Sequence, residues 1–156
     1  MSTATSPDVQ IVVFELGDER YGLDISSVYE IIRRQPITAV PKAPAFVEGV
    51  INLRGRIIPV VDLRERFGMA AGEETKASRI VVCEAAGTRV GLIVDGVSEV
   101  LMVPPGAMEA TPDVTAGPDA AYLRAIAKLG DRLIILLDLD GLFGLAEGAA
   151  LVRSAA

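Results

Sequence analysis

The stretch Ile11–Ile31 reads IVVFELGDERYGLDISSVYEI, and 69 residues later Ile80–Val100 reads IVVCEAAGTRVGLIVDGVSEV. Laid on one another without a gap, nine of the twenty-one positions are identical, among them the opening Ile-Val-Val, the Gly22-Leu23 and Gly91-Leu92 pairs, and Val28 and Glu30 opposite Val97 and Glu99. A second block follows in the same order at an offset of 76, with RIIPVVDLRERFG at Arg56–Gly68 matching RLIILLDLDGLFG at Arg132–Gly144. Two matching blocks in one order mark a duplicated unit. The halves run from about Gln10 to Gly68 and from Arg79 to Gly144, and the small, polar connector Met69–Lys76 divides them.

Each half opens with a hairpin. The β-branched run Val9–Leu16 is turned by Gly17-Asp18-Glu19 toward Arg20–Asp24, and Arg79–Glu84 is turned by Ala86-Gly87-Thr88 toward Arg89–Val94. The short continuous apolar runs Ile57–Val61 and Leu133–Leu137 read as strands covered on both faces. Pro59 within the first of these predicts an edge strand or a bulge, because proline donates no ladder hydrogen bond. Helix is expected only at Ser26–Arg33 and in single turns at Asp62–Phe67 and Asp140–Phe143. The fold class is therefore mainly β, with two small antiparallel barrels packed together and a few short helices. At about 60 residues neither half alone buries much surface, so a shared core is expected, with a groove where the rims meet.

Composition narrows the function. The chain has no histidine and one cysteine, which removes the commonest general base and metal ligand and precludes an internal disulfide. Cys83 lies in the strand IVVCE, opposite Phe14 of the first half, and reads as an inert core residue. Asp62 and Asp138 invite an acid–base pairing, yet each follows a strand and precedes a helical turn, where a carboxylate caps amide groups. The glycines form no phosphate-binding pattern. A net charge of −6 with 4% aromatic residues argues against a nucleic-acid surface. No apolar run is long enough to span a bilayer, and the start of the chain has no secretory-signal pattern, so a cytoplasmic location is expected. Twelve of the fifteen cations are arginine, the cation best suited to pairing with carboxylates at interfaces.

The block Pro36–Gly68, PITAVPKAPAFVEGVINLRGRIIPVVDLRERFG, resembles the signature region of the CheW family of chemotaxis coupling proteins, and the resemblance extends from about Gln10 to Gly144. It implies two five-stranded SH3-like barrels, the first over about residues 10–68 and the second over about 79–144, with residues 1–9 a disordered tail and 145–156 a C-terminal tail. It also implies a non-catalytic adaptor without a cofactor or metal. The partners implied are the regulatory domain of a chemotaxis histidine kinase and the cytoplasmic tip of a methyl-accepting chemoreceptor, with recruitment to receptor arrays at the membrane, no direct membrane insertion and no nucleic acid. Carried over by position, the receptor-binding and coupling residues are Val28, Glu30, Gly49, Arg54 and Gly55, whereas kinase-binding residues are not assigned. Arg54 faces Gly130 in the repeat, while Val28 and Glu30 recur as Val97 and Glu99 and remain open to a purely structural reading. Ala39 and the stretch Arg124-Ala125-Ile126 depart locally from the family pattern. Two other readings stand beside this one: an adaptor of the same fold in a surface-motility or gene-regulation pathway, and a small enzyme built on the symmetric carboxylates.

Overall fold

The β-branched runs form the two opening hairpins, β1 (Val9–Leu16) with β2 (Glu19–Asp24) and β6 (Arg79–Ala85) with β7 (Thr88–Val94). The structure, a computed structural model, describes residues 9–42, 47–67, 69, 74–85, 87–109 and 123–139. The first half also holds β3 (Val28–Arg33), β4 (Val47–Leu53), β5 (Arg56–Asp62) and a single helical turn, α1 (Leu63–Arg66). The second holds β8 (Gly96–Val103), β9 (Met108–Glu109), β10 (Leu123–Leu129) and β11 (Arg132–Leu137). The tails and the expected turn at Asp140–Phe143 lie outside the described residues.

The strands do not divide at the connector. One sheet runs β8-β1-β2-β11-β10-β9 and the other β3-β6-β7-β5-β4. Each barrel thus takes its opening hairpin from one half and its remaining strands from the other, which corrects the expected boundaries at 10–68 and 79–144. The hairpins are apolar on both faces, which suits the interior positions they take. In β1, Ile11 and Val13 face one cluster while Phe14 and Leu16 face another, and in β6 Ile80 and Val82 oppose Val81 and Cys83 in the same way. Such strands need cover on both faces. Exchange places all four in the interior of a sheet. The chain crosses between sheets at the 3₁₀ turn Ile25–Ser27 and again at Asp95.

The duplication is kept residue for residue. Ile11 faces Leu101 as Ile80 faces Ile32, and the parallel pairing of Gly22 with Leu136 repeats as that of Gly91 with Val60. The bulges recur too, at Tyr29 and Ser98 and again at Glu48 and Arg124. Asp62 and Asp138 follow equivalent pairs, Val61 with Val47 and Leu137 with Leu123. A Cβ at Gly22 would lie 2.9 Å from Leu136 Cδ2 and one at Gly91 2.7 Å from Ile80 Cγ2, so barrel packing accounts for glycine at both matched positions.

Three apolar clusters follow. Ile11, Val13, Val103, Ala127, Ile134 and Leu136 fill one barrel, and Ile51, Ile58, Val60, Ile80, Val82 and Ile93 fill the other. Between the sheets lies a shared core that includes Phe14, Leu16, Leu23, Leu63, Val81, Cys83 and Leu92.

Two local expectations need correction. Of the expected helix Ser26–Arg33 only Ser26 and Ser27 turn helically, within the 3₁₀ turn Ile25–Ser27, and Val28–Arg33 is a strand with alternating burial, because Val28, Tyr29, Ile31 and Ile32 favour a pleated, half-buried surface against β6. Pro59 lies in an internal strand rather than at an edge. It faces Val50, whose N–H and C=O both bond Thr38 on the far side, at 2.8 and 2.9 Å. Pro59 therefore occupies a non-hydrogen-bonded position with respect to β4. On its other side β7 joins only from Val60 onward, so no ladder donor is required.

Candidate functional site

β4 and β5 meet in a two-residue loop, since Leu53 pairs with Arg56 and only Arg54 and Gly55 lie between. Their φ angles are +54° and +83°, the geometry of a type I′ turn that matches strand twist. Gly55 adopts it freely, and its N–H donates to Asn52 Oδ1 at 2.9 Å. Arg54 adopts it against the preference of any L residue with a Cβ. At the equivalent turn of the other barrel this place belongs to Gly130, at φ +61°.

The strained backbone aims the Arg54 guanidinium at Glu30 on β3. Nη1 donates to Oε1 at 2.5 Å and Nη2 to Oε2 at 2.8 Å, a bidentate fork. Its hydrogen bonds from Arg54 hold the Glu30 carboxyl below the usual carboxylate range. β3 and β4 are the terminal strands of their sheet, so this pair bridges the barrel seam. Gln35 Nε2 reaching Asn52 O at 3.4 Å and the Thr38–Val50 bridge close the rest of it. The Arg54 side chain nevertheless stays 68% exposed.

A second cation completes the surface. The Arg89 guanidinium carbon sits 3.7 Å from the centre of the Tyr29 ring, and Arg89 Nε is 4.0 Å from Glu84. Tyr29 is the bulged residue of β3 and is half exposed. Tyr29, Leu53, Arg54, Gly55, Arg56, Ile58 and Arg89 line an open recess of about 360 Å³. Three arginines and an aromatic ring in an open recess suit recognition of an acidic, partly apolar protein surface. Among the described residues no group of three or more His, Cys, Asp or Glu side chains could hold a metal.

Of the five expected residues, the structure brings Glu30, Arg54 and Gly55 together. Val28 lies on the same strand but packs partly buried against the shared core, opposite Cys83. Gly49 belongs to the other end of β4, where a Cβ would lie 2.1 Å from Thr38 O; its φ is +153°. Close approach of two backbones accounts for that glycine. Cys83 is fully buried, with its thiol pushed up to about 12 by burial, and Asp62 caps α1 by accepting from Arg64 N–H at 3.0 Å. Sequence reading missed Tyr29, Arg56 and Arg89. Tyr29 carried a usable signal, since the repeat sets it against Ser98; Arg56 recurs as Arg132, and only the structure separates them, with Arg132 paired to Glu99 and Arg56 without a partner among the described residues.

Comparison with known proteins agrees with this architecture. The CheW-like domain family matches residues 10–147. The chain is 38% identical over 141 residues to "Chemotaxis protein CheW" of Rhizobium meliloti, covering 90% of this chain and 91% of that protein. It is 36% identical over 143 residues to "Probable chemotaxis protein CheW" of Rhizobium etli, covering 92% of each. The crystal structure of the scaffolding protein TtCheW from Thermoanaerobacter tengcongensis superposes with a TM-score of 0.83 at 45% identity, covering 91% of this chain and 96% of that one.

Proposed function

This chain belongs to the CheW family of chemotaxis scaffold and coupling proteins, and on that premise we propose that it is a non-catalytic cytoplasmic adaptor joining a chemoreceptor's cytoplasmic tip to the regulatory domain of a chemotaxis histidine kinase. The Glu30–Arg54–Gly55 end of the β3/β4 seam, with Tyr29 and Arg89, is the receptor-facing patch. One observation carries this reading: an exposed arginine is held in a left-handed turn where glycine would be unstrained and where the equivalent turn has glycine. Strain kept at a surface position is a mark of function. Val28 and Gly49 act indirectly, by fixing β3 against the core and by closing the seam.

The test is co-sedimentation of the purified protein with a receptor signalling fragment, alongside separate titration with the kinase regulatory domain. Arg54→Glu is expected to weaken receptor binding by tenfold or more through like-charge repulsion with Glu30 and loss of the donor fork, while kinase-domain binding changes little. Equal loss of both, or unchanged receptor binding, would remove the patch assignment.

A further inference from the structure

A second cationic recess lies on the same barrel, away from the Arg54 turn. Arg33 at the end of β3 and Arg79 at the start of β6 are directly paired across the strands, so two like charges stand side by side. Like charges placed directly opposite one another destabilise a sheet. Arg34 and Lys76 join them around an open recess of about 480 Å³. Among the described residues neither Arg33 nor Lys76 has a side-chain partner. Four cations thus converge in a chain whose net charge is −6.

The recess is held in place by its own turn. Thr75 N–H donates to Ser78 Oγ at 2.8 Å, Ala77 N–H to Thr75 Oγ1 at 3.1 Å and Ser78 N–H to Thr75 O at 3.1 Å. Arg79 Nη1 is anchored on the carbonyls of Lys76 and Ser78, both at 2.8 Å, which leaves the rest of its guanidinium available. One anion is already present: the Glu74 side chain, 61% exposed, meets Arg34 Nε at 3.3 Å. A carboxylate therefore fits this rim, and among the described residues Arg33 and Lys76 stand without one.

We propose that this recess is a docking site for an acidic segment of a partner protein, one presenting at least two neighbouring carboxylates to Arg33, Lys76 and Arg79. The assignment does not depend on the receptor-facing role of Arg54. Arginine forks pair carboxylates two at a time, and a recess of this size admits several side-chain carboxylates where a single small anion would leave most of it empty.

The probe is an acetylated and amidated hexaglutamate peptide, titrated into the full chain by NMR at low salt and again at physiological ionic strength. Shifts confined to Arg33, Arg34 and Thr75–Arg79, weakening as salt rises, are expected. Arg33→Glu should reduce affinity about tenfold or more while the unfolding midpoint holds or rises, because it turns the repulsive Arg33–Arg79 pair into an attractive one. Lys128→Glu, an identical change in charge on a distant strand, should leave binding nearly intact. Equal weakening by both variants, shifts spread over the surface, saturation by inorganic phosphate without peptide binding, or no binding of the peptide would each overturn the assignment.

Discussion

Glu30 and Glu99 occupy the same place in the two barrels, 69 residues apart, and each ion-pairs with an arginine of the neighbouring hairpin, but with arginines at different positions. Glu99 takes Arg132 Nη1 at 2.8 Å, from the first residue of β11. The residue equivalent to Arg132 is Arg56, yet Glu30 takes Arg54 from the turn instead. Arg56 is thereby left without a partner among the described residues and joins the recess lining. The carboxylate thus serves both barrels alike, whereas the choice of arginine belongs to one.

If that choice is functional, stability and binding should separate. Arg54→Gly removes the left-handed strain and restores the glycine found at the equivalent turn, and Arg56 is free to take over Glu30 as Arg132 does for Glu99. The thermal midpoint is expected to stay within about 3 °C of the parent or to rise. Receptor binding is expected to fall by tenfold or more. A large drop in the midpoint would show that the pair is there for folding.

Gly49 should behave oppositely. Any Cβ there collides with the Thr38 carbonyl, and the φ of +153° adds backbone strain, so Gly49→Ala must open the Thr38–Val50 bridge that closes the seam. A loss of about 2 kcal/mol or more in chemical denaturation is expected. Its effect on receptor binding should follow the unfolded fraction and vanish when stability is restored by cooling. A binding defect in fully folded Gly49→Ala would instead make the residue a direct contact.

Cys83 offers a check on the shared core. Its side chain is fully buried beside Val90, with the thiol 3.5 Å from the Val90 carbonyl oxygen, and burial keeps it protonated. Labelling by a thiol reagent at pH 8 should be slower than for the denatured chain by several orders of magnitude, governed by opening of the core. Labelling at the denatured rate would mean that this face of β6 is misplaced.

The duplication, the opening hairpins and the two-sided strands were legible because each leaves a local trace, whether identity at fixed offset, β-branching or an uninterrupted apolar run. The exchange of hairpins between barrels was not. Strand partners 70 residues apart carry no local signature, and an offset alignment reads the same whether or not the halves swap. Ser26–Arg33 misled because a capping residue before it, Asp24, serves a 3₁₀ turn as well as a helix; the strand that follows is fixed by pairing with β6. Glu30, Arg54 and Gly55 emerged from motif resemblance, and the seam geometry accounts for their proximity. Tyr29 and Arg89 were missed because a cation–π contact between β3 and β7 spans 60 residues of sequence, and the strand between them in the sheet is β6.

The remaining prediction concerns the joint between the barrels. At the crossover from β7 to β8, the Asp95 carboxylate accepts from Arg64 Nε at 3.0 Å and Nη2 at 2.5 Å, and from Gly17 N–H at 2.7 Å. It thus ties the β1–β2 turn of one sheet to α1, which follows β5 of the other. The Arg64 hydrogen bonds foremost, with the Gly17 bond beside them, hold its carboxyl below the usual carboxylate range, against the opposing effect of burial. A group whose folded pKa lies below its unfolded value, about 3.9 for aspartate, stabilises the fold above that value and loses its contribution as pH falls through the folded pKa. Because the side chain is still partly in solvent, screening limits that contribution to about 1 kcal/mol or less. Asp95→Asn should therefore be less stable than the parent by roughly this amount at pH 7. The gap should persist down to about pH 4 and shrink below it as the parent carboxyl takes up its proton. A difference that stays constant from neutral to strongly acidic pH would assign Asp95 a packing role instead of an electrostatic one.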